Sequence, residues 1–218
     1  MNNKKHIISS IILGVLVIIY ILLVKTVDVQ EVIRTGSNVG FYSVNEWFWN
    51  LTGHNEILDK ITDVLLVLPI VLVAMYGTIG LKQLIQEKSL LKVDKKIILL
   101  GCFYVVIGIV YVLFEKVIIN YRPIIVDGEL EASFPSSHTL MAICVCVTSV
   151  LVNKRLWKND IINYVNISIL VVMALIVFGR LMAGVHWLTD IGGGILISAF
   201  LIECFNAVLN KIEPNKEA

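Results

Sequence analysis

The sequence predicts an all-α membrane protein, a single bundle of six transmembrane helices. Three observations lead there. Hydrophobic residues make up 57% of the 218 and charged residues only 16%, where soluble domains run near 45–50% and about 25%. The mean hydropathy is +0.85. Uncharged stretches of membrane length recur along the chain, separated by short charged segments.

Backbone in lipid must satisfy its own polar groups, so these stretches are helices. The first covers residues 7–24, after Lys4, Lys5 and His6. It is long and has no small-residue cleavage site behind it, so it reads as an uncleaved signal-anchor. The second covers 64–81 and contains Pro69, tolerable where neighbouring helices satisfy the freed carbonyl. The third, fourth and fifth cover 97–114, 136–153 and 161–179. The sixth, 187–209, has Asp190 at one end and Glu203 near the other. Residues 1–218 form one domain, with no repeat and no soluble module. The long loop over 25–63 contains Phe41, Tyr42, Trp47, Phe48 and Trp49. It reads as an aromatic belt, with a short helix in the headgroup layer. The alternative is a lid or lipid-entry wall.

Charge sets the orientation. Lys4, Lys5, Lys82, Lys88, Lys92, Lys95, Lys96, Lys154, Arg155, Lys158, Lys211 and Lys216 fall on one side; Lys25, Arg34, Lys60, Lys116, Arg122 and Arg180 fall on the other. The richer side is cytoplasmic. Six spans then put both termini inside, in a multi-pass protein of the cell membrane. A net charge of +1 with no basic stripe gives no reason to expect a nucleic-acid partner. Cys102, Cys144, Cys146 and Cys204 lie in apolar runs and read as packing residues. A channel or transporter predicts charge at mid-membrane, which the first five spans lack; Glu203 lies near the inner end. The Gly192-Gly193-Gly194 run allows close helix packing, within or between subunits. Oligomeric state is left open.

Three outer segments carry chemistry. In the third, His186 and Asp190 are four apart, which on a helix puts them on one face. An aspartate accepting a hydrogen bond from one ring nitrogen fixes the tautomer and leaves the other nitrogen free to attack. In the second, Pro135-Ser136-Ser137-His138 reads as a turn entering a helix N-terminus, where backbone N–H groups favour an anion. Ser136 and Ser137 add hydroxyl donors, and His138 is placed to protonate a leaving oxygen. The first segment, running from Lys116 to Arg122-Pro123, joins Arg180 in supplying positive charge. A phosphoryl transition state spreads negative charge over three equatorial oxygens, and Lys116, Arg122 and Arg180 suit it. The acids Asp127, Glu129 and Glu131 read as a solvated loop, so neither a metal site nor another cofactor is expected.

These segments resemble the three signature motifs of the type 2 phosphatidic acid phosphatase family, the lipid phosphate phosphatases, which are similar to vanadium haloperoxidases. The family pattern is Lys-x6-Arg-Pro, Pro-Ser-Gly-His and Ser-Arg-x5-His-x3-Asp. Arg180, His186 and Asp190 match in spacing, with Gly179 in place of the serine. Pro135, Ser136 and His138 match, with Ser137 in place of the glycine. Only five residues separate Lys116 from Arg122.

The resemblance implies an active site at the extracytoplasmic face. His186 attacks phosphorus and becomes phosphohistidine, with Asp190 orienting it. His138 protonates the leaving group and then deprotonates water. Lys116, Arg122, Arg180, Ser136 and Ser137 hold the phosphoryl oxygens without a metal. The expected partner is a membrane lipid substrate in the bilayer: undecaprenyl diphosphate, phosphatidylglycerophosphate or phosphatidic acid. The competing readings are a lipid phosphotransferase on the same scaffold and a catalytically degenerate membrane binding protein.

Overall fold

The computed structural model describes residues 3–126 and 128–213, so of the acidic trio Asp127 lies outside the described residues. Eight α-helices appear among them: α1 (Asn3–Thr26), α2 (Tyr42–Thr52), α3 (Glu56–Leu65), α4 (Val67–Glu87), α5 (Lys95–Lys116), α6 (Ser137–Leu156), α7 (Asp160–Ala183) and α8 (Leu188–Ile212). Strands β1 (Gln30–Val32) and β2 (Ser37–Val39) pair antiparallel between α1 and α2. Six helical stretches are long and apolar enough to cross a membrane: α1, α3 with α4, and α5 to α8.

The second span begins earlier than the apolar run predicts. Glu56, Asp59, Lys60 and Asp63 make 56–63 too polar to read as a span, yet this stretch is α3, continued by α4 after a break at Leu66. Asn55 starts α3, its side chain accepting from Leu58 N–H at 3.0 Å. The predicted outer loop therefore contains a β-hairpin, α2 and most of α3.

Of the six spans, α6 is the least apolar and the most enclosed. The two facts share a cause: a helix surrounded by protein can carry small and polar residues that lipid would not tolerate. Buried Asn153 donates to Asn166 of α7 at 2.8 Å, and the Tyr76 hydroxyl of α4 bonds to Asn153. At the other extreme, α1 turns Ile and Leu outward along most of its length and packs along α8. Such a surface has bilayer as its natural solvent.

The Gly192–194 run serves packing inside the chain. An added Cβ would come within 2.7 Å of the Tyr20 hydroxyl at Gly192, 2.3 Å of the Phe134 ring at Gly193 and 3.0 Å of the Thr139 methyl at Gly194. Gly184 ends α7 at φ +66, where an added Cβ would lie 1.8 Å from the Gly53 carbonyl oxygen. That turn presses the His186 segment against the loop after α2. Trp49 of α2 donates to the Gly184 carbonyl at 3.0 Å, and Asn45 donates to the Thr189 hydroxyl at 2.9 Å. Part of the aromatic loop is thus a wall over this segment, while Trp47 remains exposed.

Candidate active site

All three outer segments meet at one end of the bundle. The α5–α6 connection closes on itself: Arg122 N–H donates to the Glu131 carbonyl at 3.0 Å, and Ser133 N–H to the Asn120 carbonyl at 2.9 Å. Ser136 N–H donates to the Asp190 carbonyl at 3.1 Å, joining the start of α6 to the start of α8.

His186 is 4% exposed. Its Nδ1 lies 3.1 Å from the Ser133 carbonyl oxygen. A carbonyl only accepts, so Nδ1 carries the proton and Nε2 keeps its lone pair. That Nε2 is buried and has no partner among the described residues. Burial, followed by the positive charge of Arg122, Arg180 and His138, holds the imidazole well below its ordinary pKa. The ring is therefore neutral, as a nucleophile must be.

Asp190 does not accept from His186. Helix α8 starts at Leu188, so the two residues do not share a helical turn. Asp190 sits at the third helical position, and its Oδ2 accepts from Trp187 N–H at 2.9 Å. Its Oδ1 accepts from the Asn120 amide at 3.1 Å, while His186 Nδ1 is 3.9 Å from Oδ2. At that distance the two make no hydrogen bond, and the Nδ1 proton belongs to Ser133.

A narrow cleft reaches His186. Its walls include Tyr111, Glu115, Arg122, Ser133, Ser137 and His186. Ser137 and Arg122 thus share this cleft with His186, whereas His138 and Arg180 are not among its walls. Ser136 does not line the cleft; it is buried, and its hydroxyl caps α6 by accepting from Thr139 N–H at 3.4 Å. Lys116 is exposed and, among the described residues, makes no hydrogen bond or ion pair, whereas its neighbour Glu115 lines the cleft. Successive helical residues are about 100° apart around the axis. The short spacing to Arg122 therefore turns Lys116 off the cleft and Glu115 onto it.

His138 lies in the first turn of α6. Its Nε2 is 2.8 Å from Asp63 Oδ1, and its Nδ1 is buried without a partner among the described residues. Arg180 is 1% exposed. Its Nη1 contacts Asp59, the Thr62 hydroxyl at 3.2 Å and Asp63 at 3.4 Å. Arg122 Nε lies 3.0 Å from the Glu131 carboxylate.

Sequence reasoning missed Ser133, Asn120, Asp59 and Asp63. The last two are four apart just ahead of an apolar run, a spacing that signals one shared helix face. Among the described residues no group of three His, Cys, Asp or Glu is arranged to hold a metal ion.

A family model described as the PAP2 superfamily matches residues 97–213. Comparison with curated protein sequences gave no match. Among solved structures, the chain is similar to a transmembrane PAP2 type phosphatidylglycerolphosphate phosphatase from Bacillus subtilis. The TM-score is 0.66 at 19% identity, over 95% of this chain and 99% of that one. At that identity the likeness is one of fold.

The geometry separates the two cations of the first motif. Arg122→Ala is expected to weaken binding of inorganic phosphate by about tenfold or more, since a charge-assisted contact contributes roughly 1.5–3 kcal/mol. Lys116→Ala is expected to leave it within about twofold, as for an exposed charge. Isothermal titration of each variant in detergent measures both; equal losses would place Lys116 back at the phosphate.

Proposed function

The chain belongs to the PAP2 superfamily, and on that premise we propose that it hydrolyses the phosphate or diphosphate of a membrane lipid through a phosphohistidine on His186. The observation that carries this reading is the His186 ring itself. Its Nδ1 is hydrogen-bonded at 3.1 Å to the Ser133 carbonyl, and its buried Nε2 has no partner among the described residues, in a ring that shares its cleft with Arg122 and Ser137.

The reaction runs in two steps. His186 Nε2 forms a bond to phosphorus while the bond to the leaving oxygen breaks, and protonated His138 gives that oxygen its proton. Water then gives a proton to His138 and attacks phosphorus, and the phosphorus–Nε2 bond breaks. Arg122, Arg180 and the start of α6 offset the charge on the equatorial oxygens. Asp190 stabilises the positive ring of the intermediate across 3.9 Å. Charge is compensated by the chain's own cations, so a chelator is expected to leave the rate unchanged.

A lipid substrate fits a site at the end of six spans, where a headgroup arrives by lateral diffusion. Undecaprenyl diphosphate, phosphatidylglycerophosphate and phosphatidic acid are the candidates; the similar Bacillus subtilis protein is described as acting on the second. The lysine and arginine distribution supports a site on the extracytoplasmic face with both termini in the cytoplasm.

Phosphate release from these three lipids, by purified protein in detergent with EDTA, tests the reading. Release is expected from at least one lipid and is expected to vanish in His186→Ala, a loss of about 10⁴-fold or more. No release from any of them by folded protein, or full release by the variant, would overturn it. Orientation is tested separately with a cysteine at exposed Ile125. An impermeant maleimide should label Ile125→Cys in intact cells; labelling only after lysis would move the site to the cytoplasm.

A further inference from the structure

We propose that Asp63, on α3, is a positioning residue for His138: it holds the Nε2 proton and so makes Nδ1 the nitrogen that gives and takes the proton in catalysis. This rests on the phosphatase reading above.

Asp59, Thr62 and Asp63 stand at i, i+3 and i+4 of α3 and so share one face. All three touch Arg180 Nη1, and Asp63 Oδ1 also lies 2.8 Å from His138 Nε2. One carboxylate therefore joins the proposed acid–base residue on α6 to the buried arginine on α7. A carboxylate accepts, so Nε2 carries the proton that it holds. The remaining nitrogen, Nδ1, is buried with no partner among the described residues. A buried polar atom left unpaired is costly, and a catalytic role is one reason for such an atom to be kept.

The approach of α3 is built in. An added Cβ at Gly179 would meet the Thr62 methyl at 2.5 Å, so at this glycine the Thr62 face of α3 packs directly on α7. The start of α3 is tied to the end of α7, where Asn55 N–H donates to the Ala183 carbonyl at 2.9 Å. An ordinary surface ion pair would need neither feature. The Asp63 side chain is 56% exposed, and as a bare salt bridge it would contribute only about 0–1 kcal/mol.

Proton accounting follows from this arrangement. In the first step the Nδ1 proton goes to the leaving oxygen, while Nε2–H stays on Asp63. In the second step the water proton returns to Nδ1. Burial opposes a positive charge on this ring, and so do Arg180 from α7, Arg122 from the α5–α6 connection and His186 from the α7–α8 turn; the Asp63 carboxylate, 2.8 Å from Nε2, favours it. Of these neighbours only Asp63 favours the charged form. Removing its charge should therefore lower the pH up to which His138 remains protonated.

The test uses the full chain in detergent with the lipids named above, against wild type and His186→Ala. Asp63→Asn keeps volume and a hydrogen-bond acceptor but loses the charge. It is expected to lower kcat by about 10²-fold with KM within about twofold, a loss typical of impaired acid–base catalysis. The alkaline limb of kcat/KM should move about one pH unit or more to lower pH. Asp63→Glu should restore both. Asp63→Ser, which removes the carboxylate with a shorter side chain, should reproduce the shift of the limb. A wild-type kcat and pH profile in Asp63→Asn would overturn the proposal, as would a raised KM with kcat unchanged. If Asp63→Asn does not fold, an unmoved limb in Asp63→Ser overturns it. Absence of release by wild-type protein would instead overturn the phosphatase reading, and this role with it.

Discussion

The contact on which the site depends is between the Ser133 carbonyl and His186 Nδ1, at 3.1 Å. A carbonyl has no proton to offer, so this contact alone decides which ring nitrogen is free. Ser133 is in turn held by its own N–H on the Asn120 carbonyl, and the Asn120 amide is held on Asp190. Asp190 completes the circle through Trp187 N–H, next to His186. Four residues from the α5–α6 connection and the start of α8 thus fix one imidazole without using its Nε2. Burial and nearby guanidinium groups keep that imidazole neutral.

The membrane-spanning part serves this circle by setting where chain ends meet. Alternation of spans brings the α1–α3, α5–α6 and α7–α8 connections to one end. The polar residues of α6 are affordable because protein surrounds it, so its N-terminus can be placed at the centre of that end. Above it, β1, β2 and α2 fold down over the His186 segment. Arg34 pairs with Glu46, and its guanidinium stacks 3.8 Å above the Trp49 ring and 5.3 Å from that of Trp187. The wall therefore bears on Trp187, the residue next to His186.

Much of this was legible in the sequence, for identifiable reasons. Spans with uncharged runs declare themselves, because lipid penalises charge at every position. Helix α3 did not, because Asp59 and Asp63 point at Arg180 and His138 rather than at lipid. Those partners lie more than 70 residues further along the chain, beyond the reach of any local pattern. Arg122, Arg180, His138 and His186 were visible as short motifs, and the structure brings them to one end. The Asp190 hydrogen bond was misassigned because a spacing of four implies one helical turn only when both residues are helical; α8 begins two residues after His186. Lys116 was misplaced by helical phase, one residue being enough to exchange it for Glu115 at the cleft.

The account stands or falls on a covalent bond between phosphorus and His186 Nε2. The direct measurement is mass spectrometry of protein quenched in alkali within milliseconds of mixing with hydrolysable lipid, because phosphohistidine survives base. The account predicts a phosphoryl group on the peptide containing His186 and on no other. Steady phosphate release with no phosphorylated histidine at any time would contradict it, and would mean that water attacks the lipid phosphate directly.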